Sequence, residues 1–250
     1  MIEAWEYLGR IGVSTPPSPD LDSLSALHIA HLVSVPFETY DIHSAVPIVC
    51  DEESFVHKIV KRKRGGFCYE LNTSFAWLLR QLGFDVTLLS GRVTREGGGF
   101  GPEFDHMALL VQLDQPYIVD VGFTNFSTKP LTLDGAAKSD PLGSSKIELQ
   151  ESGDHAFMRL EEGKWKIEYL FTLQPRQLEE FAEMCKFHET SPQSPFIAKP
   201  LSVIYTESGR ITISGNSFIA IENGIKTTHE IQNSEKIDLL RNYFKIDLCQ

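Results

Sequence analysis

The chain has 250 residues and a formal net charge of −11 at neutral pH, with 42% hydrophobic and 23% charged residues. This composition is typical of a globular protein and excludes collagen-like, coiled-coil and disordered chains. The acidic balance disfavours general electrostatic attraction to nucleic acid or to an anionic membrane, so an anionic ligand must find a local basic patch.

The N-terminal sequence predicts neither export nor membrane anchoring. It has neither the basic start nor the apolar stretch of a signal peptide, and no apolar run approaches the roughly 18 residues of a membrane span. We therefore expect a cytoplasmic protein. In that reducing compartment the four cysteines are expected to be free thiols, and their wide spacing predicts neither a disulfide framework nor a metal site. They are Cys50, Cys68, Cys185 and Cys249.

The first third of the chain has helical spacing. The stretch "SLSALHIAHLV" places Leu24, Leu27 and Leu32 on one apolar stripe, and "DEESFVHKIVKRK" predicts a second amphipathic helix. A third helix is predicted before Gly83, a suitable C-terminal stop. Its buried face would carry Leu71, Phe75, Leu78, Leu79 and Leu82. We predict a helical domain over residues 1–84.

The rest of the chain changes to short strand-like runs. Between residues 85 and 171 these are "DVTLLSGRV", "HMALLVQL", "PYIVDVGF" and "KWKIEYLF", separated by turn sequences such as "REGGGFGPE" and "DQP". The final part mixes a helix, "PRQLEEFAEMCKFH", strands in "LSVIYTESGRITISGN" and a closing helix, "NSEKIDLLRNYF". We predict a β-rich domain over residues 85–190 and an α/β domain over residues 191–250.

The stretch "KRKRGGFCYELN", residues 61–72, places Cys68 in the first turn of the third helix. A thiol there faces the positive end of the helix dipole, and nearby Arg64 adds positive charge, so both favour the thiolate. Gly65 and Gly66 lack a Cβ and allow a sharp, close-packed loop before the helix. These residues alone leave two interpretations open: a reactive cysteine, or a small buried apolar residue.

A nucleophilic cysteine needs a base, and the base needs an orienting group. His106 begins a clear strand after a glycine-rich loop, and Asp120 ends the next strand. With a three-residue turn at "DQP", Asp120 would pair near Leu110, on the same sheet face as His106. A straight ladder would then leave His106 and Asp120 about 13 Å apart, so a contact requires a bulge, strong twist or another register. The alternative interpretation is a solvated turn histidine and a strand-end aspartate.

Four ordered motifs resemble those of the arylamine N-acetyltransferase family. The segment "LHIAHLVSVPFET" is similar to an early helix of that family and the segment after it, and "RGGFCYELN" is similar to its cysteine motif. The strands "DHMALLV" and "YIVDVGF" resemble its histidine and aspartate strands. Later segments, "YLFTLQPRQLEEF" and "TSPQSPF", also resemble the family, so the similarity covers roughly residues 24–218.

The resemblance implies a fold and a set of reacting residues. The fold is of the α+β class, with an N-terminal helical bundle in residues 1–84, a central β-barrel in residues 85–190 and a C-terminal α/β lid in residues 191–250. The reacting residues are Cys68, His106 and Asp120, in a papain-like Cys-His-Asp arrangement. In the family's pattern the cysteine is the nucleophile, the histidine its base, and the aspartate orients the histidine.

The resemblance also implies the reaction and its ligands. It implies ping-pong transfer of an acetyl group from acetyl-CoA, through an acetyl-cysteine, to arylamines or arylhydrazines, with no metal, and a role in xenobiotic metabolism. Phe37 and Phe123 match positions that line the aromatic acceptor pocket. Glu103 and Ser217 match positions that contact coenzyme A.

Two positions depart from the family's pattern. Thr39 follows "VPFE" where the family usually has Asn, and Thr124 stands where it usually has the last glycine of "DVGFG". Both are expected to reshape loops that line the pocket, which affects acceptor preference more than reaction type. Two alternatives stay open: another cysteine-dependent acyltransferase or hydrolase with a similar triad, and a catalytically silent ligand-binding relative.

Overall fold

The computed structural model describes residues 2–247, so Cys249 lies outside the described residues. The first part of the chain is helical, as its apolar spacing predicts. The helices are α1 Ala4–Arg10, α2 Leu21–Ser34, α3 Tyr40–His43, α4 Glu52–Val60 and α5 Cys68–Gln81. Helix α5 begins at Cys68, and the chain turns after it at Gly83, whose φ of +88° favours glycine. Among residues 2–247, no helix is both long and apolar enough to cross a bilayer.

A short strand interrupts the helical part. Strand β1, Phe37–Glu38, is antiparallel to β10, Leu201–Thr206, with Phe37 opposite Val203. It is the edge of a five-stranded sheet in the order β1-β10-β11-β12-β13. The last three strands are β11 Gly209–Ser214, β12 Ser217–Glu222 and β13 Ile225–Glu230. The N-terminal part of the chain is therefore hydrogen-bonded to the C-terminal sheet, and the division into three domains stays a prediction.

The middle of the chain forms an eight-stranded antiparallel sheet. Its strands are β2 Asp85–Val93, β3 His106–Gln112, β4 Pro116–Val119, β5 Leu131–Thr132, β6 Lys138–Asp140, β7 Gly143–Leu149, β8 His155–Glu161 and β9 Lys164–Phe171. Their order is β5-β4-β3-β2-β9-β8-β7-β6. Because β5 also lies against β7, the sheet curls into a near-closed barrel, which confirms a mixed fold with a central barrel.

The remaining helices follow the barrel. A 3₁₀ turn at Leu178–Phe181 leads into α6, Ala182–Thr190, and a short α7 spans Pro195–Ala198. Helix α8, Asn233–Leu239, continues into a π-helical turn at Leu240–Phe244. This last part packs its apolar side chains on the five-stranded sheet, where Phe244 and Leu240 are buried with Ile213.

Helix α5 lies at the centre of the molecule. It contacts α1 and α4 and also strands β2 and β3, so nearly every residue on it is buried. Four of these buried residues are polar: Glu70, Asn72, Thr73 and Ser74. Buried polar groups in folded proteins are hydrogen-bonded with few exceptions. The partners of Glu70, Asn72 and Thr73 therefore indicate where the buried polar contacts are concentrated, whereas the Ser74 hydroxyl has no hydrogen-bond partner among the described residues.

Candidate active site

The loop before α5 is held close to β1. The N–H of Glu38 donates to the carbonyl of Gly66 at 2.9 Å, and a Cβ on Gly65 would overlap the backbone of Pro36. Glycine is required here because two backbone segments approach closely. The loop delivers Cys68 to the first turn of α5, where its side chain is 3% exposed.

Ion pairs hold the first turn of α5 in place. The Lys58 ammonium lies 2.7 Å from Oε1 of Glu70 and 2.9 Å from Oδ2 of Asp41, with all three side chains buried. The second oxygen of Glu70 accepts a hydrogen bond from the Phe67 N–H at 3.0 Å, which closes a local loop across the helix start. Losing one partner of such a buried pair costs about 3–5 kcal/mol. These contacts therefore fix the first turn of α5, and with it the position of Cys68.

Arg64 does not act on Cys68 as the sequence predicts. Its guanidinium lies 2.7 Å from Oε1 of Glu38 and 3.2 Å from Oδ1 of Asp41, so its charge is engaged by two carboxylates. Because these acids lie within three residues of β1, they draw the arginine towards the loop. The prediction that Arg64 favours the thiolate was wrong, and its role is to tie the loop to the N-terminal helices.

The electrostatic environment of Cys68 favours the thiol. Burial raises the pKa of Cys68 well above its ordinary value, and the negative charges of Asp120 and Asp105 raise it further. Hydrogen bonds from the backbone of Met107 and Tyr69 act in the opposite direction. The direction is therefore opposite to the low thiol pKa expected at the helix start, and burial is its largest cause. A base is needed to take the thiol proton.

His106 and Asp120 are brought together by a register that differs from the predicted one. The turn uses Leu113, Asp114 and Gln115, with Gln112 opposite Pro116, because proline is tolerated as the first residue of a strand. Continuing the ladder past Leu109 and Val119 places Asp120 opposite Ala108, only two residues from His106. That leaves about 7 Å between the backbones at roughly 3.3 Å per residue, which two side chains span. The predicted pairing with Leu110 was wrong by two residues.

The contact between these side chains is short and buried. Nε2 of His106 lies 2.6 Å from Oδ2 of Asp120, and the two residues are 2% and 0% exposed. Because Nε2 is held by the carboxylate, Nδ1 is the ring nitrogen left for a second partner. The ring also packs edge-to-face on Phe123 and tilted against Tyr169, with centroid distances of 5.2 and 4.9 Å. This packing restricts the imidazole to one orientation.

Four further groups hold the Asp120 carboxylate. Oδ1 accepts hydrogen bonds from Nδ2 of Asn72 at 2.8 Å and from the N–H groups of Gly122 and Phe123, each at 2.9 Å. Oδ2 accepts from the Tyr169 hydroxyl at 3.0 Å. These four donors hold the Asp120 carboxylate in one position.

Two of these donors were not identified from the sequence. Asn72 follows Cys68 by one helical turn, so the helical period within "CYELN" could have indicated it. Tyr169 lies on β9, far from Asp120 in the chain, and the pairing of β2 with both β3 and β9 places it beside His106, across Gly91. No sequence pattern indicates that contact.

Cys68 and His106 line one cavity of about 210 Å³. Its remaining walls are mostly apolar: Phe37, Val93, Gly122, Phe123, Thr124, Pro195, Phe196 and Leu201. Arg95, Asp105 and His188 add charged or polar groups. A cavity of about 150 Å³ holds a benzene molecule, so this one has room for a single substituted aromatic ring. Both predicted pocket residues, Phe37 and Phe123, are part of its wall.

The two residues predicted to contact coenzyme A lie elsewhere. Neither Glu103 nor Ser217 is among the described residues that line the cavity. Glu103 accepts a hydrogen bond from Ser90 at 2.8 Å and lies 3.4 Å from Arg92. Ser217 begins β12 opposite Ser214. Their role in coenzyme binding stays a prediction.

Of the two positions that depart from the family's pattern, one lines the cavity and the other contacts a residue of its wall. Thr124 lines it directly. The hydroxyl of Thr39 accepts a hydrogen bond from the N–H of Leu201 at 3.0 Å, and Leu201 is part of the wall. Both threonines therefore act on the shape of the cavity and leave the His106–Asp120 contact unchanged. Within residues 2–247, no group of three or more His, Cys, Asp or Glu side chains could hold a metal ion.

Gly122 allows the aspartate loop to approach the cysteine helix. A Cβ on Gly122 would lie 2.6 Å from both Nδ2 of Asn72 and Cα of Cys68. Gly122→Ala is therefore expected to push β4 away from α5 and to lower the free energy of unfolding by about 1–3 kcal/mol. The measurement is urea denaturation followed by circular dichroism.

The matched control for this substitution is Gly9→Ala. Gly9 lies in α1, where nothing is within 4 Å of an added Cβ. Alanine favours the helix over glycine, so this variant should be at least as stable as the parent. Equal stability of the Gly122→Ala variant and the parent would contradict the close approach of the two segments.

Comparisons with known proteins agree with this geometry. An N-acetyltransferase family model matches residues 20–250. The arylamine N-acetyltransferase of Mycolicibacterium smegmatis is 32% identical over 251 residues, covering 97% of this chain and 91% of that protein.

Solved structures show the same fold. The structure of Mycobacterium marinum arylamine N-acetyltransferase in complex with CoA has a TM-score of 0.91 at 26% identity, covering 99% of this chain and 94% of that chain. An arylamine N-acetyltransferase from Bacillus cereus, described with a unique Cys-His-Glu catalytic triad, has a TM-score of 0.90 at 25% identity, covering 99% and 100%. The chain belongs to the arylamine N-acetyltransferase family.

Proposed function

We propose that this protein transfers an acetyl group from acetyl-CoA to the nitrogen of an arylamine or arylhydrazine, with Cys68 as the covalent carrier. The observation that carries the proposal is the buried contact of 2.6 Å between Asp120 and His106, which lines the same cavity as Cys68. Together these residues supply what an activated nucleophile requires: a thiol, a base and a group that orients the base. Family membership supports the same assignment.

The first half-reaction is a thioester exchange. Because burial raises the pKa of Cys68, its proton moves to Nδ1 of His106 as sulfur attacks the acetyl carbonyl. The bond from the acetyl carbon to the coenzyme sulfur then breaks, and the departing thiolate takes the proton back from His106. Backbone N–H groups near the start of α5 would stabilise the oxyanion of the tetrahedral intermediate. One thioester replaces another, so the step is close to balanced in free energy.

The second half-reaction consumes the acetyl-cysteine. An arylamine is mostly uncharged at neutral pH, so its lone pair attacks the acetyl carbon of the Cys68 thioester directly. His106 accepts one amine proton, and Cys68 leaves as the thiol after it receives that proton. Asp120 keeps the imidazole in the tautomer and orientation that both half-reactions need. The apolar cavity excludes water, which limits hydrolysis of the thioester.

Different observations support the proposed acetyl donor and the proposed acceptor. The CoA complex of the Mycobacterium marinum relative supports acetyl-CoA as the donor. The single-ring volume of the cavity and its aromatic wall, including Phe37 and Phe123, support a small aromatic amine as the acceptor. Contacts of Glu103 and Ser217 with the coenzyme, a cytoplasmic location and a role in xenobiotic metabolism are also part of the proposal.

Initial-rate kinetics test the proposal. Rates of 4-methylaniline acetylation are measured against acetyl-CoA at several fixed amine concentrations. A ping-pong reaction gives parallel lines in the double-reciprocal plot, together with N-acetylated amine as the product. Intersecting lines would show a ternary complex and contradict the covalent carrier. Release of coenzyme A without acetylated amine would show a hydrolase, and no turnover by folded protein would show a silent relative.

A further inference from the structure

One corner of the cavity is lined by polar and charged side chains that have no role in the proposed reaction. Arg95 follows β2, Asp105 precedes β3, and His188 lies in α6, yet all three line the same cavity as Cys68. Nη2 of Arg95 lies 2.9 Å from Oδ1 of Asp105. Nε2 of His188 lies 3.3 Å from the same oxygen. The remaining wall is mostly apolar, so this corner is a separate feature of the site.

The hydrogen bonds of His188 define its tautomer. The Ser194 hydroxyl donates to the backbone carbonyl of His188 at 3.1 Å, so its only proton is already engaged. Nδ1 of His188, 3.2 Å from the same hydroxyl oxygen, must therefore donate its own proton. The Phe196 N–H donates to this oxygen as well, at 3.2 Å. In the neutral ring the lone pair is then on Nε2.

Nε2 of His188 has no hydrogen-bond partner of suitable geometry among the described residues. The residue is 2% exposed and belongs to the cavity wall. An unpaired polar atom in a buried position lowers stability, so its retention requires an explanation such as a ligand. Its neighbour Asp105 supplies only acceptor oxygens when ionised. Two acceptors therefore face each other across 3.3 Å, and a donor placed against both would satisfy them.

Asp105 is the negatively charged hydrogen-bond acceptor of this corner. Burial opposes its ionisation, but the charge of Arg95, 2.9 Å from Oδ1, acts in the opposite direction, and the pKa of Asp105 lies below its ordinary value. Arg95 is 39% exposed at its side chain and approaches from the outside. The buried part of the corner therefore consists of the carboxylate and Nε2 of His188.

We propose that Asp105 and His188 bind a second N–H-donating nitrogen of the acceptor, so that aryl diamines are selected over amines of equal size that carry a methyl group instead. This inference rests on the proposed function, because it concerns the amine that attacks acetyl-Cys68. One nitrogen of the diamine faces the thioester. The second nitrogen donates one of its hydrogens to the Asp105 carboxylate and its remaining hydrogen to Nε2 of His188. The apolar wall holds the ring between them.

Matched acceptors and variants test this selection. The ratio of kcat/KM for 1,4-phenylenediamine to that for 4-methylaniline is measured in the parent and in Asp105→Asn. The 1,3-diamine and 3-methylaniline form a second pair. Comparing ratios between proteins cancels the intrinsic reactivity of each amine. The ratio is expected to fall about tenfold in Asp105→Asn, which corresponds to about 1.4 kcal/mol.

Two further variants make the result decisive. His188→Phe keeps an aromatic ring but removes Nε2, and it should lower the same ratio by about threefold or more. A thermal melt shows whether Asp105→Asn folds. If it does not fold, the His188→Phe variant alone tests the inference. The matched control is Asp114→Asn in the exposed β3–β4 turn, which should leave the ratio unchanged.

Three outcomes overturn the inference, and they are distinguishable. If both amines are acetylated and the ratio is unchanged in both Asp105→Asn and His188→Phe, the subsite is absent while the proposed function stands. If the parent acetylates neither amine, the proposed function fails and the inference fails with it. If 4-aminobenzoate is preferred over 4-methylaniline and Arg95→Gln removes that preference, the corner binds a carboxylate through Arg95 instead.

Discussion

Cys68→Ser is expected to lower kcat/KM for arylamine acetylation by roughly 10⁴-fold or more, because loss of a covalent nucleophile has effects of this size. Serine is nearly isosteric with cysteine, so the start of α5 and the cavity should keep their shape. A hydroxyl is much harder to deprotonate than a thiol, and the burial that already raises the pKa of Cys68 would act on it in the same direction. The measurement is kcat/KM with a thermal melt of the same sample.

The matched control is Cys50→Ser. Cys50 is half-buried and is not among the described residues that line the cavity. This variant should retain most of the parent's kcat/KM. If Cys68→Ser keeps more than about a tenth of the parent's activity, or if Cys50→Ser loses as much as Cys68→Ser, Cys68 is not the acetyl carrier.

Asp120→Asn is expected to damage both activity and stability. The asparagine amide would place an N–H donor against at least one of the donors now bound by the carboxylate, which include Asn72 and Tyr169. It also removes the carboxylate charge beside Nε2 of His106. We expect kcat/KM to fall by roughly 10⁴-fold through the wrong imidazole tautomer. The free energy of unfolding should fall by about 3 kcal/mol or more, since a buried ionic contact loses one partner.

The same exposed control, Asp114→Asn, separates the two effects from the loss of one negative charge. It makes an identical chemical change at the other end of β4 and should leave both kcat/KM and the urea midpoint close to the parent values. If Asp120→Asn remains stable and active, His106 does not depend on this carboxylate for its orientation. If it is stable and inactive, the positioning role stands and the packing argument does not.

The sequence predicted the elements whose apolar period is strong. Helices α2, α4 and α5 and strands β2, β3 and β9 were predicted from their apolar residues, although α5 and β3 are buried on nearly every side. Cys68 was placed in the first turn of α5, as the structure has it. The near-closed barrel came from the family resemblance and could not be derived from the runs alone, since closure depends on contacts between β5 and β7.

Some strands were missed although a signal was present. The hairpin of β12 and β13 turns at Asn223 and Gly224, whose φ values are +51° and +79°. An Asn-Gly pair between alternating residues is a strong hairpin signal. The turn between β8 and β9 similarly uses Glu162 and Gly163, both with positive φ. In contrast, β1 has two residues, and such a short strand has no period to detect.

The predictions that were wrong at the site depended on contacts between residues that are far apart in the chain, which the sequence does not show. The hairpin register depended on which residues form the turn, and a shift of two residues changes the separation of His106 from Asp120 from four positions to two. The expected thiolate at Cys68 counted the helix dipole and Arg64, but burial and ion pairing act through distant residues. The corner of Asp105 and His188 also joins segments that are far apart in the chain.

Intact-protein mass spectrometry tests the central claim most directly. The parent is incubated with acetyl-CoA in the absence of amine, its mass is recorded, and peptide mapping locates any modification; 4-methylaniline is then added. We predict a gain of one acetyl group on Cys68, its loss on addition of the amine, and no gain in Cys68→Ser. Absence of the acetyl group on folded parent protein, its presence on another residue, or its persistence in the presence of the amine would contradict acetyl transfer through Cys68.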